Sequence, residues 1–119
     1  MTSQYGLIMP LRLRSHGAAV ALAITSVLAV GCAETPLLPE NADAELVMGQ
    51  DVYTAKCSRC HGASGAGGLG SSIRDISERL TEAEQIAVVS AGRNSMPRFD
   101  GVLTDAEIAA VLRYVREFM

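Results

Sequence analysis

The amino-acid sequence predicts an all-α domain over residues 42–119. Two paired helix-start signals, an apolar stripe at helical spacing in the last segment and the lack of any alternating apolar–polar run carry that reading. At the N-terminal end, Asn41-Ala42-Asp43 offers a helix start. Ala44, Val47, Met48, Val52 and Ala55 then share one face at the 3.6-residue period, predicting a first helix that runs to the Cys57 region. Next, Gly62, Gly65, Gly67, Gly68 and Gly70 fall within nine residues, which makes this stretch a loop whose backbone can pass close to a flat ligand. Ile73, Ile76 and Leu80 fit one side of a short helix over 73–80. Thr81-Glu82-Ala83-Glu84 is a capping box opening a helix through Gln85, Ile86, Val88 and Val89, with Gly92 as its stop. After an irregular stretch at 93–102, a second box, Thr104-Asp105-Ala106-Glu107, opens the last helix. There Ile108, Val111, Leu112, Val115 and Met119 form the apolar stripe, with Arg113, Arg116 and Glu117 on the remainder.

The first third of the chain has another character. Arg12 and Arg14 precede an uncharged apolar run at 17–31, ending in a small residue before Cys32. The run is about 15 residues, short of the roughly 20 that a bilayer span needs, so it reads as an export signal over 1–31. Leu28-Ala29-Val30-Gly31-Cys32 resembles a bacterial lipoprotein signal, with Gly31 and the cysteine in place and Ala29 where Leu is commoner. The alternative is ordinary cleavage nearby. A spare exported thiol would oxidise or cross-link, which favours lipidation of Cys32. Residues 32–41, with Pro36 and Pro39, then form a non-helical tether to the domain at 42–119.

All 13 acidic residues and eight of the ten basic ones lie after Ala33, leaving that part five charges negative. No basic patch of the kind that holds nucleic acid is present, and an acidic body suits protein partners with basic docking surfaces.

A domain of fewer than about 80 residues ordinarily needs a staple besides its hydrophobic core. Beyond Cys32 the only cysteines are Cys57 and Cys60, too close in sequence to lock a fold by a disulfide. They belong to Cys57-Ser58-Arg59-Cys60-His61, the attachment pattern of c-type haem. Its two thiols add across the haem vinyl groups, and the adjacent histidine supplies one axial nitrogen to iron. A structural zinc site needs four ligands, and past the signal only Cys57, Cys60 and His61 are available. A thioredoxin-like redox pair needs a βαβ setting that this helical pattern lacks. A covalently held macrocycle would also fill the core of a chain with no Trp and few aromatic residues.

Iron held by one histidine needs a second axial group or an open site. The candidates are Met48, Met96 and Met119. Met48 and Met119 fit apolar helix faces, whereas Met96 stands in the polar stretch Gly92-Arg93-Asn94-Ser95-Met96-Pro97-Arg98-Phe99, where Pro97 biases it to an extended conformation. His61 and Met96 are therefore the expected axial pair, an arrangement that favours electron transfer over small-molecule chemistry.

From about Ala44 to Phe118 the chain resembles the class I cytochromes c, in the short bacterial monohaem form. The resemblance rests on Gly49-x-x-x-Tyr53, Cys57 to Gly62, Gly92-Arg93-x-x-Met96-Pro97 and Leu103-Thr104-x-x-Glu107-Ile108. It implies three to five helices around one covalent haem c, with Gly49 and Tyr53 crossing the Leu112 to Val115 region. Gly49 otherwise only weakens a helix. It also implies a non-enzymatic electron carrier working with redox partner proteins on the periplasmic side of a bacterial membrane. Two other readings stand beside it: a haem subunit that works only inside a dehydrogenase or oxidase, and a peroxidase or gas sensor with an open sixth site. In one respect the chain departs from the family. The proline expected about ten residues after the haem histidine, whose carbonyl takes the imidazole N–H, is absent from Gly68-Leu69-Gly70-Ser71-Ser72. Arg93 or Arg98 could serve the haem propionates.

Overall fold

A computed structural model describes residues 34–119, so the export signal expected at 1–31 and Cys32 lie outside the described residues. Helix α1 (Ala44–Val52) continues through a π-helical turn (Tyr53–Cys57) into the short α2 (Ser58–His61). A single 3-10 turn (Ile76–Glu78) precedes α3 (Glu82–Ala91), and α4 (Asp105–Phe118) closes the chain. Among the described residues there are only two isolated β-bridges and no strand. None of the described helices is long and apolar enough to cross a membrane.

Each long helix starts where side-chain chemistry can satisfy its free N–H groups. Asp43 accepts from the Leu46 amide at 3.0 Å. Thr81 with Glu84, and Thr104 with Glu107, complete reciprocal capping boxes. Gly92 ends α3 with a φ of 76°, and a side chain there would also run into the backbone of residues 96–98.

The core lies where α1 crosses α4. A Cβ on Gly49 would collide with the carbonyl of Ala110 and come within 2.9 Å of the Tyr114 Cβ, so only glycine lets the two helices approach this closely. Tyr53 and Tyr114, both fully buried, fill the space beside the crossing with ring centroids 5.7 Å apart. On the outside, Arg113 of α4 reaches Asp43, Glu45 and Glu117 at 2.8–2.9 Å, tying the start of α1 to the end of α4.

Two sequence expectations need correction. The buried face of α1 is Leu46, Gly49 and Val52, while Ala44, Val47 and Ala55 are exposed. The close crossing selects the face that carries the glycine over the one richest in apolar side chains. The helix expected over 73–80 shrinks to the 3-10 turn, because Asp75 at φ 55° breaks the run. The segment before α1 is non-helical, as its prolines require, yet it does not hang free. The Pro36 carbonyl accepts hydrogen bonds from Gln50 (2.8 Å) and Tyr114 (3.3 Å), and Leu38 packs on the core.

Candidate haem site

Cys57, Cys60 and His61 sit at the C-terminal end of the α1–α2 rod because the π turn precedes them. In that turn the Ser58 amide bonds back to the Tyr53 carbonyl, taking up one residue more than an α-turn would. The extra residue lets Tyr53 stay buried while Cys57, Cys60 and His61 face a cavity of about 500 Å³. Met96 lines the same cavity from the loop after α3, and Val111, Leu112 and Val115 of α4 form its apolar floor. Leu69, Ile76 and Leu80 add further apolar lining. The space falls within the range of small-molecule and cofactor sites.

The chemistry of this wall fits a covalently bound macrocycle. Both thiols are free of any disulfide. Burial, helped by neighbouring Cys60, pushes the Cys57 thiol up to about 11. A thiol held protonated at neutral pH is unlike the low-pKa cysteine of a disulfide oxidoreductase. Among the described residues no group of three or more His, Cys, Asp or Glu side chains is placed to hold a metal ion.

His61 is oriented despite the missing proline. Its Nδ1 lies 2.7 Å from the carbonyl oxygen of Ser71, ten residues on. A carbonyl can only accept, so the proton is on Nδ1 and the Nε2 lone pair is left for a metal. Gly70, beside that carbonyl, donates its own N–H to Cys60 O at 2.8 Å, which ties the loop back to the attachment helix. On the other side of His61, the Tyr53 hydroxyl donates to Gly62 O at 2.6 Å. Burial pushes that phenol up to about 12.

Met96 is presented by a tight turn. Arg93 and Met96 exchange backbone hydrogen bonds at 3.2 and 3.0 Å, with Asn94 at φ 56° between them. Met48 and Met119 pack against the hydrophobic core, and neither lines the cavity. Of the two arginines considered for the propionates, Arg93 lines the cavity, whereas Arg98 is paired with Asp100 at 2.6 Å and does not.

Ser71, Arg79 and Gln85 were not legible as site residues. Ser71 acts through a backbone carbonyl, which leaves no side-chain signal. Arg79 and Gln85 lie in segments that read as helix surface and helix core, and both line the cavity. Gln85 is only 3% exposed; its amide N–H donates to Leu80 O, and its Oε1 has no partner.

Comparison with known proteins places this geometry. Residues 44–115 match the family described as cytochrome C oxidase, cbb3-type, subunit III. Cytochrome c6 from Tetradesmus obliquus is 36% identical over 83 residues, covering 60% of this chain and 89% of that protein. Cytochrome c-551 from Bacillus subtilis (strain 168) is 26% identical over 98 residues, covering 77% of this chain and 86% of that protein. Among solved structures, cytochrome cL from Hyphomicrobium denitrificans shares the fold at a TM-score of 0.55 and 21% identity, over 60% of this chain. This chain spans 46% of cytochrome cL's length. The c-type cytochrome NirC aligns at a TM-score of 0.51 and 27% identity, over 64% of this chain and 95% of its own.

Proposed function

Because this chain belongs to the class I monohaem cytochromes c and carries electrons on one covalently bound haem c, we propose that its two thioether links form at Cys57 and Cys60. His61 and Met96 would hold its iron, and the carrier would work on the periplasmic side of a bacterial membrane, anchored by a lipid on Cys32. The observation that carries the ligand set is that Cys57, Cys60, His61 and Met96 all line one largely apolar cavity. The bound haem supplies a one-electron Fe(II)/Fe(III) couple.

The protein's own groups set how that couple behaves. Ser71 O fixes the imidazole tautomer and makes His61 a stronger donor. The Arg93–Met96 turn holds the thioether of Met96 toward the cavity, and a sulfur ligand favours the reduced state. Val111, Leu112 and Val115 keep water from that side, so less solvent reorganises when an electron arrives or leaves.

The test is spectroscopic. The oxidised protein is expected to show a sulfur-to-iron charge-transfer band, and its reduced form to resist carbon monoxide at neutral pH. Met96→Ala should lose the band and bind carbon monoxide readily. If the unsubstituted protein already binds it, the sixth site is open and the peroxidase or gas-sensor reading takes over. For the anchor, Cys32→Ser should move the protein from the membrane to the soluble fraction. A second reading has support in the description of the matching family, which names an oxidase subunit. Constant co-purification with one oxidase or dehydrogenase in mild detergent would favour that reading over a free shuttle.

A further inference from the structure

We propose that Arg79 is a positioning residue for His61, acting through the backbone of residues 71–74. The inference rests on His61 as an axial ligand. The loop that holds His61 has a weakness: Ser71 stands between Gly70 and Ser72 with no ring to stiffen it, and its own N–H has no backbone partner among the described residues. Its carbonyl nevertheless has to stay 2.7 Å from the imidazole.

The loop is fixed on both sides of Ser71. Upstream, Gly70 N–H is bound to Cys60 O. Downstream, one amino group of Arg79, Nη2, donates to Ser72 O at 3.2 Å and to Arg74 O at 2.9 Å. Arg79 is itself anchored at the end of the 3-10 turn, where its N–H bonds to Ile76 O. Arg74 extends the brace, donating from Nε and Nη2 to the carbonyl and hydroxyl of Ser64 across the loop. The side chain of Arg79 thus does by hydrogen bonds what a proline ring would do by covalent stiffness. It restricts the backbone just downstream of the carbonyl that orients the ligand.

Arg79 also lines the cavity, so its positive charge could act on the haem directly. The two roles differ in sign. If the grip on the loop is lost, the bond from His61 to Ser71 loosens, the imidazole becomes a poorer donor, the ferric state is less stabilised and the potential rises. If only a nearby positive charge is lost, the ferric state is favoured and the potential falls.

Arg79→Lys separates them, because it keeps the charge on a stem one bond too short to reach both carbonyls. We expect this variant of the full, haem-loaded chain to have a higher reduction potential. Its His61 Nδ1–H should exchange with solvent faster than in the unsubstituted protein, because its carbonyl partner is held less firmly. Ser71→Pro, which sacrifices no backbone hydrogen bond, should restore both readouts in the Arg79→Lys background. An unchanged or lower potential in Arg79→Lys, or failure of the proline to restore it, overturns the proposal. If Arg79→Lys alone does not mature, maturation of the double variant at the unsubstituted protein's potential supports it, and failure of both overturns it. Absence of histidine ligation in the unsubstituted protein would overturn the axial reading itself. Intact ligation with an unmoved potential overturns only the role of Arg79.

Discussion

Where α1 crosses α4, close packing of side chains does the holding: tyrosine rings, a glycine gap and Arg113 among three carboxylates. Around the rim of the cavity the same chain is held mostly by backbone carbonyls. Gly62, Ser71 and Ser72 each accept from a side chain, and Cys60 O accepts from Gly70. The crossing is a packed frame whose failure should show as lost stability. The rim is a polar net whose failure should show first in the properties of the haem. The difference teaches that a domain of this size can confine its mechanical stability to two helices and leave long irregular segments free to shape a site.

The comparison can be broken most severely by removing what joins the two regions. The double variant Cys57→Ala/Cys60→Ala should retain no covalent haem and lose most of its helical circular dichroism at 25 °C. The frame alone is too small to carry the rim without a staple. Survival of a folded apo-like domain would mean that the crossing suffices.

Next in size is Gly49→Ala. Its new methyl group meets a backbone carbonyl that cannot yield, so the cost is about 3 kcal/mol and the melting temperature should fall by at least about 10 °C. If frame and rim are separable, the haem absorption bands stay in place below that temperature.

The frame was largely readable in the amino-acid pattern and the rim was not. Capping boxes at Thr81 and Thr104 announce helix starts through side chains, and the family resemblance pointed to Gly49 and Tyr53 as a crossing pair. The face of α1 was misjudged because counting apolar residues favours Val47 over Gly49, although close approach rewards the smaller residue. Cys57, Cys60, His61 and Met96 could be singled out in the sequence because their side chains would carry the chemistry, and all four line one cavity. The acceptor for His61 was not, since any residue has a carbonyl and only the path of the loop selects Ser71. The π turn was hidden as well, because nothing in Tyr53-Thr54-Ala55-Lys56-Cys57 marks one extra residue in a turn.

Smaller effects sharpen the division. Tyr53→Phe removes the hydrogen bond to Gly62 O, which keeps a second donor in Gly65 N–H, and should cost about 1 kcal/mol. Its signature lies in alkali. The phenol is raised from 10.0 to about 12 in the folded protein, so its contribution is whole below pH 10 and fades as pH climbs toward 12. Tyr53→Phe should therefore flatten that part of the stability–pH curve. Thr104→Ala should cost a similar amount, about 1 kcal/mol by loss of the cap, and leave the reduction potential unmoved.

At the acid end the effects are smallest singly and shared. Hydrogen bonds from the Arg113 side chain and the Leu46 amide hold the Asp43 carboxyl below its ordinary 3.8, and Thr81 and Thr104 do the same for Glu84 and Glu107, ordinarily 4.5. Lowered carboxyls stabilise the fold above their unfolded values, and that stability is lost as pH falls through the folded ones. Urea titrations between pH 5 and 2 should show a progressive loss that Arg113→Gln makes shallower.

The docking of Pro36 against Gln50 and Tyr114 also bears on how the protein searches for its partners. With the backbone pinned there, a lipid on Cys32 would leave a leash of four residue steps, no more than about 14 Å even when taut. A carrier on so short a leash does not sweep a hemisphere of periplasm. So anchored, it would glide in two dimensions, close to the bilayer, and would meet only those partners whose docking surfaces lie at the same height.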